Sequence, residues 1–246
     1  MPRSTLIDIA NFTMRFGDTT VIDDLSFKVS KGETFGLLGS NGSGKTTTIR
    51  ALLGILKPTS GTLTINGKPY TVNNSFKLGY LPEERGLYKK EPVLDVMCYF
   101  GQLKGMTKED AKSWSLKYLA RVDLASKANN RLDTLSGGQQ QKIQLGVTIM
   151  DEPDLLILDE PTKGFDPVNR RLLMSIIEER QQKGATVIFV THQMEEVERL
   201  CDRLILLKDG NAAEYGTVDS VREAHGGASL DDVFVSIYGQ SGDEHA

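Results

Sequence analysis

Apolar residues along the chain recur with two periods, one of two residues and one between three and four, and the switches between them mark out the elements. Period two comes first. Leu6-Ile7-Asp8-Ile9-Ala10 and Leu25-Ser26-Phe27-Lys28-Val29 read as strands, and Lys31-Gly32 turns the chain into a third, Thr34-Phe35-Gly36-Leu37-Leu38. Residues 47–53 carry helical spacing that Gly54 ends. Thr62-Leu63-Thr64-Ile65 is a strand running into the hairpin signal Asn66-Gly67, and Leu78-Gly79-Tyr80-Leu81 is another short strand. The helical period then takes over at residues 93–104, 108–122 and 139–150, with Thr107 placed to cap the second of these and Asp110 in its first turn. Leu155-Leu156-Ile157-Leu158 is a continuous apolar run of the kind a strand covered on both faces has. A helix over 168–182, a strand over 186–190 and a helix over 194–200 follow. Strand, helix, strand, helix predicts a parallel sheet. Strands over 203–208 and 212–215 about the turn Asp209-Gly210, then two short amphipathic segments, close the chain before a polar tail at 241–246.

This alternation predicts an α/β core over residues 1–83 and 151–215, beginning with an antiparallel β subdomain. A helical subdomain is inserted at 84–150, and a short helical C-terminus covers 216–240. With 246 residues, 39% apolar and 25% charged, the chain is long enough to bury a sizeable core. A net charge of −4 disfavours nucleic acid as a partner. Cys98 and Cys201 lie far apart without metal-ligand spacing and read as buried thiols of a reducing compartment. No stretch approaches the roughly 20 apolar residues of a membrane span, so the chain is expected in the cytoplasm or on the cytoplasmic face of a membrane.

The clearest chemistry lies between the third strand and the first helix, at Gly39-Ser40-Asn41-Gly42-Ser43-Gly44-Lys45-Thr46-Thr47. This is the G-x-x-x-x-G-K-T spacing of a phosphate-binding loop, in the strand–loop–helix context that gives the pattern its meaning. Gly39, Gly42 and Gly44 allow a backbone that turns successive N–H groups around an anion. The helix starting near Lys45 adds about half a positive charge from its N-terminus. Lys45 is suited to the β- and γ-phosphates, and the Thr46 hydroxyl to a magnesium ion. The fold class is therefore an α/β phosphate-loop NTPase core.

Asp159 and Glu160 stand where the buried strand ends, which is where parallel sheets bind ligands. Beside a phosphate loop, the first is positioned to hold magnesium and the second to orient or deprotonate a water. Without that loop, an Asp-Glu pair is an ordinary solvated strand end. His192 likewise follows a strand and is either a γ-phosphate contact or a structural histidine. Phe16, before Gly17, is either a core residue or a platform for a flat base, and its position alone favours the core.

Leu135-Ser136-Gly137-Gly138-Gln139-Gln140-Gln141 resembles the signature motif of the ATP-binding-cassette (ABC) ATPases, and the order of the other motifs agrees with that family from Phe16 to about Gly210. The resemblance implies that Phe16 stacks on adenine, that residues 39–47 bind the phosphates of ATP, that Asp159 associates with Mg2+ and that Glu160 is the catalytic base. It makes His192 the switch histidine on the γ-phosphate and places Asp166, in Lys163-Gly164-Phe165-Asp166, in the loop that communicates across a dimer. Ser136, Gly137, Gly138 and Gln139 fall in the motif that binds the nucleotide of the opposite subunit, so a second ABC subunit is implied as a partner on ATP binding.

The chain departs from the family pattern at three positions. Glu83, in Gly79-Tyr80-Leu81-Pro82-Glu83, stands where glutamine is usual, Lys163 where a small residue is common, and Phe165 where leucine is usual. Glutamine both donates and accepts, whereas an ionised glutamate only accepts, so Glu83 is suited to magnesium or its waters and unsuited to the usual sensing role. Residues 79–88 and the helical C-terminus most resemble ATP-binding subunits of exporters of the sodium-extrusion and drug-resistance type. The reading is an ATP-hydrolysing subunit that powers transport through a separate transmembrane subunit, which is expected to dock at residues 85–90. The alternative, a non-transport ABC ATPase of translation or DNA maintenance, usually carries two cassettes or a long coiled-coil insertion, and neither is present here.

Overall fold

The structure is a computed structural model and describes residues 3–71, 76–84 and 86–239, so Arg85 of the expected docking loop and the polar tail lie outside the described residues. The chain forms two compact units, Met1–Ser75 with Thr186–Ala246, and Phe76–Ala185.

The first unit opens with β1 (Thr5–Phe16) and β2 (Thr19–Ser30), followed by β3 (Thr34–Gly39), α1 (Lys45–Leu52) and β4 (Ser60–Ile65). β1 pairs antiparallel with both β2 and β4, giving the order β2-β1-β4. Each long strand has a kink where alternation slips by one residue. Ile7 and Ile9 face the core before the kink in β1, Phe12 and Met14 after it, and Asn11 at the kink is left-handed at φ 51°. Asp24 does the same in β2 at φ 50°, and the Asn11 amide donates to its carboxylate at 2.8 Å, pinning the two bulges together. A strict period-two reading breaks each strand there, which is why the alternation predicts shorter pieces.

The second unit contains β5 (Leu78–Leu81), α2 (Val93–Leu103), α3 (Lys108–Arg121), α4 (Gly137–Ile149), β6 (Leu155–Asp159) and α5 (Pro167–Gln182). β5 and β6 run parallel with Leu81 opposite Leu158. Thr107 caps α3 as the sequence predicts, accepting from the Asp110 N–H at 3.1 Å. α3 and α4 approach closely because Gly146 has no side chain. A Cβ there would fall 2.7 Å from a ring carbon of Tyr118, whose hydroxyl donates to the Lys142 carbonyl at 2.7 Å.

Lys104 closes the far end of α4, donating from its ammonium to the carbonyls of Thr148 at 2.9 Å and Met150 at 3.2 Å. Burial pulls its pKa from 10.5 down to about 8. A base depressed on folding gives stability that is present above the unfolded pKa and lost as pH falls through the folded one. In urea unfolding, the stability of the wild type relative to Lys104→Met should therefore rise between pH 8 and 10, by on the order of 2–3 kcal/mol.

The chain returns to the first unit with β7 (Thr186–Thr191), α6 (Met194–Leu200), β8 (Arg203–Lys208), β9 (Asn211–Thr217), α7 (Val218–Ala224) and α8 (Leu230–Gly239). β3 lies between β7 and β8, parallel to both, and β9 returns antiparallel through the left-handed pair Asp209 and Gly210. Phe35 and Phe27 stack at 5.3 Å in the core of this unit. Among the described residues no helix is long and apolar enough to cross a membrane.

Candidate functional site

The parallel register of the first unit brings its site residues to one end of the sheet. Leu38 pairs with Thr191 and Gly39 with Leu207, so the residue after Thr191, the exposed His192, emerges beside the start of the phosphate loop. The loop then curls with φ of 149° at Gly39, 83° at Gly42 and 101° at Gly44, before α1 begins at Lys45. Two of these glycines are sterically required. A Cβ at Gly39 would fall 2.6 Å from the Leu207 carbonyl oxygen, and one at Gly44 would enter the Ile22 side chain.

Lys45 is 8% exposed, and its ammonium donates to the carbonyls of Gly39 at 2.8 Å and Ser40 at 2.9 Å. The lysine thus lies along the inside of the loop that its charge is suited to share with an anion. The buried Ser43 hydroxyl has no hydrogen-bond partner among the described residues, an orphan that phosphate oxygens would satisfy. Asn41 and Gly42 are exposed at the tip, while Thr46 and Thr47 are half-buried in the first turn of α1.

Phe16 is 50% exposed, which corrects the core placement that its position alone favours. The physical reason is where β4 stops. Its last pair with β1 is Thr13 with Ser60, so beyond it only the β1–β2 ribbon continues and Phe16 has no sheet face to bury against. An exposed ring at a hairpin end is the platform arrangement.

In the second unit the strand ends gather the acidic residues. Asp159 closes β6 at 1% exposure, and Glu160, 6% exposed, follows in the left-handed region at φ 49°. For a residue that carries a Cβ this is a strained backbone, and such strain persists where surrounding structure fixes it. The β5–β6 register carries Pro82 and Glu83 out beside Asp159 and Glu160. Glu83 is exposed and pairs with Lys163 at 2.5 Å. Two of the three departures from the family pattern therefore meet, 80 residues apart in sequence, and the Glu83 carboxylate, with smaller help from Glu160 and Asp159, raises the Lys163 pKa.

Among the described residues no group of three or more histidines, cysteines or carboxylates could hold a metal on its own. Magnesium needs only one or two protein oxygens, completed by phosphate and water, and the Thr46 hydroxyl and the Asp159 carboxylate are oxygens of that kind.

Ser136 caps α4 in a reciprocal box: its hydroxyl accepts from the Gln139 N–H at 3.3 Å, and the Gln139 side-chain oxygen accepts from the Ser136 N–H at 3.0 Å. Gly137 and Gly138, the first two helical residues, have N–H groups that helix geometry leaves without an intrahelical acceptor. Phe165, the third departure, lies against Gly138, where a Cβ would stand 3.3 Å from its ring. Asp166 caps α5, accepting from Val168 at 2.9 Å and Asn169 at 3.0 Å, and these donors, Asn169 foremost, hold its pKa below the usual carboxylate value.

Comparison with known proteins agrees with these motifs. The ABC transporter family profile matches residues 22–163. An uncharacterised ABC transporter ATP-binding protein of Methanocaldococcus jannaschii is 46% identical over 87% of this chain and 79% of its own length. The linearmycin resistance ATP-binding protein LnrL of Bacillus subtilis is 35% identical over 94% of this chain and 75% of its own. The Nod factor export ATP-binding protein I of Burkholderia lata is 36% identical over 95% and 76%. A solved structure of the ATP-binding subunit of an ABC transporter matches with a TM-score of 0.86 at 29% identity, covering 94% of this chain and 99% of that one. With its phosphate loop, strand-end carboxylates and capped signature helix, the chain belongs to the ABC transporter family, on the side of its ATP-binding subunits.

Proposed function

We propose that this chain hydrolyses ATP with magnesium and thereby powers export through a separate membrane subunit, itself peripheral on the cytoplasmic face of the membrane. The observation that carries the hydrolytic part is Glu160, a buried carboxylate held in a left-handed backbone directly after Asp159. In this reading Phe16 stacks on adenine while the loop of residues 39–47, with Lys45, holds the phosphates. Thr46, Asp159 and Glu83 would hold magnesium, which when bound would offset the negative charge of the phosphates. Glu160 accepts a proton from the attacking water as the water oxygen bonds to the γ-phosphorus. The bond to the β–γ bridging oxygen breaks, and ADP leaves. His192 contacts the γ-phosphate.

Ser136, Gly137, Gly138, Gln139 and Asp166 would face the nucleotide of a second ABC subunit. The export direction rests on relatives whose names specify Nod factor export and linearmycin resistance. For the membrane partner, support comes from Tyr88, which is exposed and packs with Tyr99 at 5.7 Å and Phe100 at 6.1 Å, an aromatic group next to the charged segment Lys89-Lys90. The purified chain should release inorganic phosphate from ATP and stop when magnesium is chelated. Absence of ADP formation by the chain, alone and with its co-purified membrane partner, would overturn the reading.

A further inference from the structure

The closing helix α8 reaches the phosphate loop through one side chain. The half-buried ring of Tyr238 packs against an apolar cluster that includes Leu38, Leu206 and Val233, and lies 4.4 Å from the ring of Phe234. Its hydroxyl accepts the N–H of Ser40 at 2.9 Å and donates to the carbonyl of Leu207. Ser40 is the second residue of the loop, and its carbonyl, with that of Gly39, accepts the ammonium of Lys45. The main chain of Ser40 is thus held from one side by Tyr238 and from the other by Lys45. Lys208 secures the end of the same helix, donating to the Ile237 carbonyl at 2.6 Å.

We propose that Tyr238 is a positioning residue for the phosphate loop: its hydroxyl fixes the Ser40 peptide to the end of β8 and so sets the place from which Lys45 meets the phosphates. The physical need is entropic. A loop with glycines at positive φ loses much conformational freedom when it closes on an anion, and a loop already held in place loses less and binds more tightly. Only a group that accepts and donates at once can tie an amide to a carbonyl, and a tyrosine hydroxyl does both. The inference rests on reading residues 39–47 as the ATP phosphate site.

Tyr238→Phe keeps the ring and removes only the hydroxyl. Measured in the full chain with a fluorescent ATP analogue, it should raise the Kd about fivefold, the usual worth of one hydrogen bond. It should also speed hydrogen exchange of the Ser40 amide. Phe234→Leu loosens the same helix without touching the hydroxyl and should leave the Kd within twofold even where it lowers the melting temperature as much. If the wild type fails to bind the analogue, the phosphate-site reading fails. If the wild type binds, then a Tyr238→Phe Kd within twofold of it with unchanged Ser40 exchange, or an equal loss of affinity in Phe234→Leu, overturns the role of Tyr238.

Discussion

Glu160→Gln is expected to bind ATP with wild-type affinity and to release phosphate at less than about a hundredth of the wild-type rate, the usual scale for losing a general base. The amide has the shape of the carboxylate but cannot take a proton, so the change removes the chemistry and leaves the buried site filled. Its position favours a clean outcome. Glu160 follows a fully buried strand and is itself 6% exposed, so the backbone that aims it is fixed by β6 and not by the carboxylate. Nucleotide affinity and phosphate release should be measured on the same preparation. Hydrolysis at the wild-type rate would remove Glu160 from the role of base.

Because it should hydrolyse ATP slowly, the same variant is expected to keep ATP bound and so to expose the second large effect. Glu160→Gln should be mainly monomeric without nucleotide and dimeric with ATP by light scattering, because two anion-binding surfaces on separate chains have nothing to hold in common until a triphosphate lies between them. Adding Ser136→Arg should abolish that dimer while ATP affinity of the monomer stays within about twofold. Ser136 is the cap of α4, so an arginine there places bulk and positive charge at the helix end whose N–H groups are proposed to meet the anion. Losing the cap itself costs about 1 kcal/mol, too little to unfold a 13-residue helix whose later turns are buried. An ATP-bound dimer indifferent to Ser136→Arg would show that the signature does not close over the neighbouring nucleotide.

Elements whose signals are local were readable from the sequence. The glycine loop, the cap at Thr107, the turn at Asp209-Gly210 and the strand before Asp159 each rest on neighbours a few residues apart, and all four occur where their residues predict. Boundaries failed where two local rules conflict. The start of α4 at Gly137 was hidden because glycines are poor helix formers, although Ser136 and Gln139 supply both halves of the cap. Phe16 continues the in-facing phase of Phe12 and Met14, and only the end of the β1–β4 pairing at Thr13 leaves it exposed.

What no local pattern carries is pairing over distance. Glu83 and Lys163 looked like two independent departures, yet they form one ion pair because Glu83 emerges next to the strand end that precedes Lys163. Nothing local in the sequence marks Tyr238, because its partners, Ser40 and Leu207, adjoin it only through the packing of α8.

Residues 39–47 are expected to hold the phosphates of ATP, with Lys45 as their main charge. An equilibrium titration of the wild type and Lys45→Ala with ATP and magnesium decides this. Lys45 is buried along the loop, and a charge-assisted bond of this kind is worth about 1.5–3 kcal/mol, so the variant should bind at least about tenfold more weakly with its melting temperature little changed. Equal affinity of the two chains for ATP would show that Lys45 does not hold the phosphates.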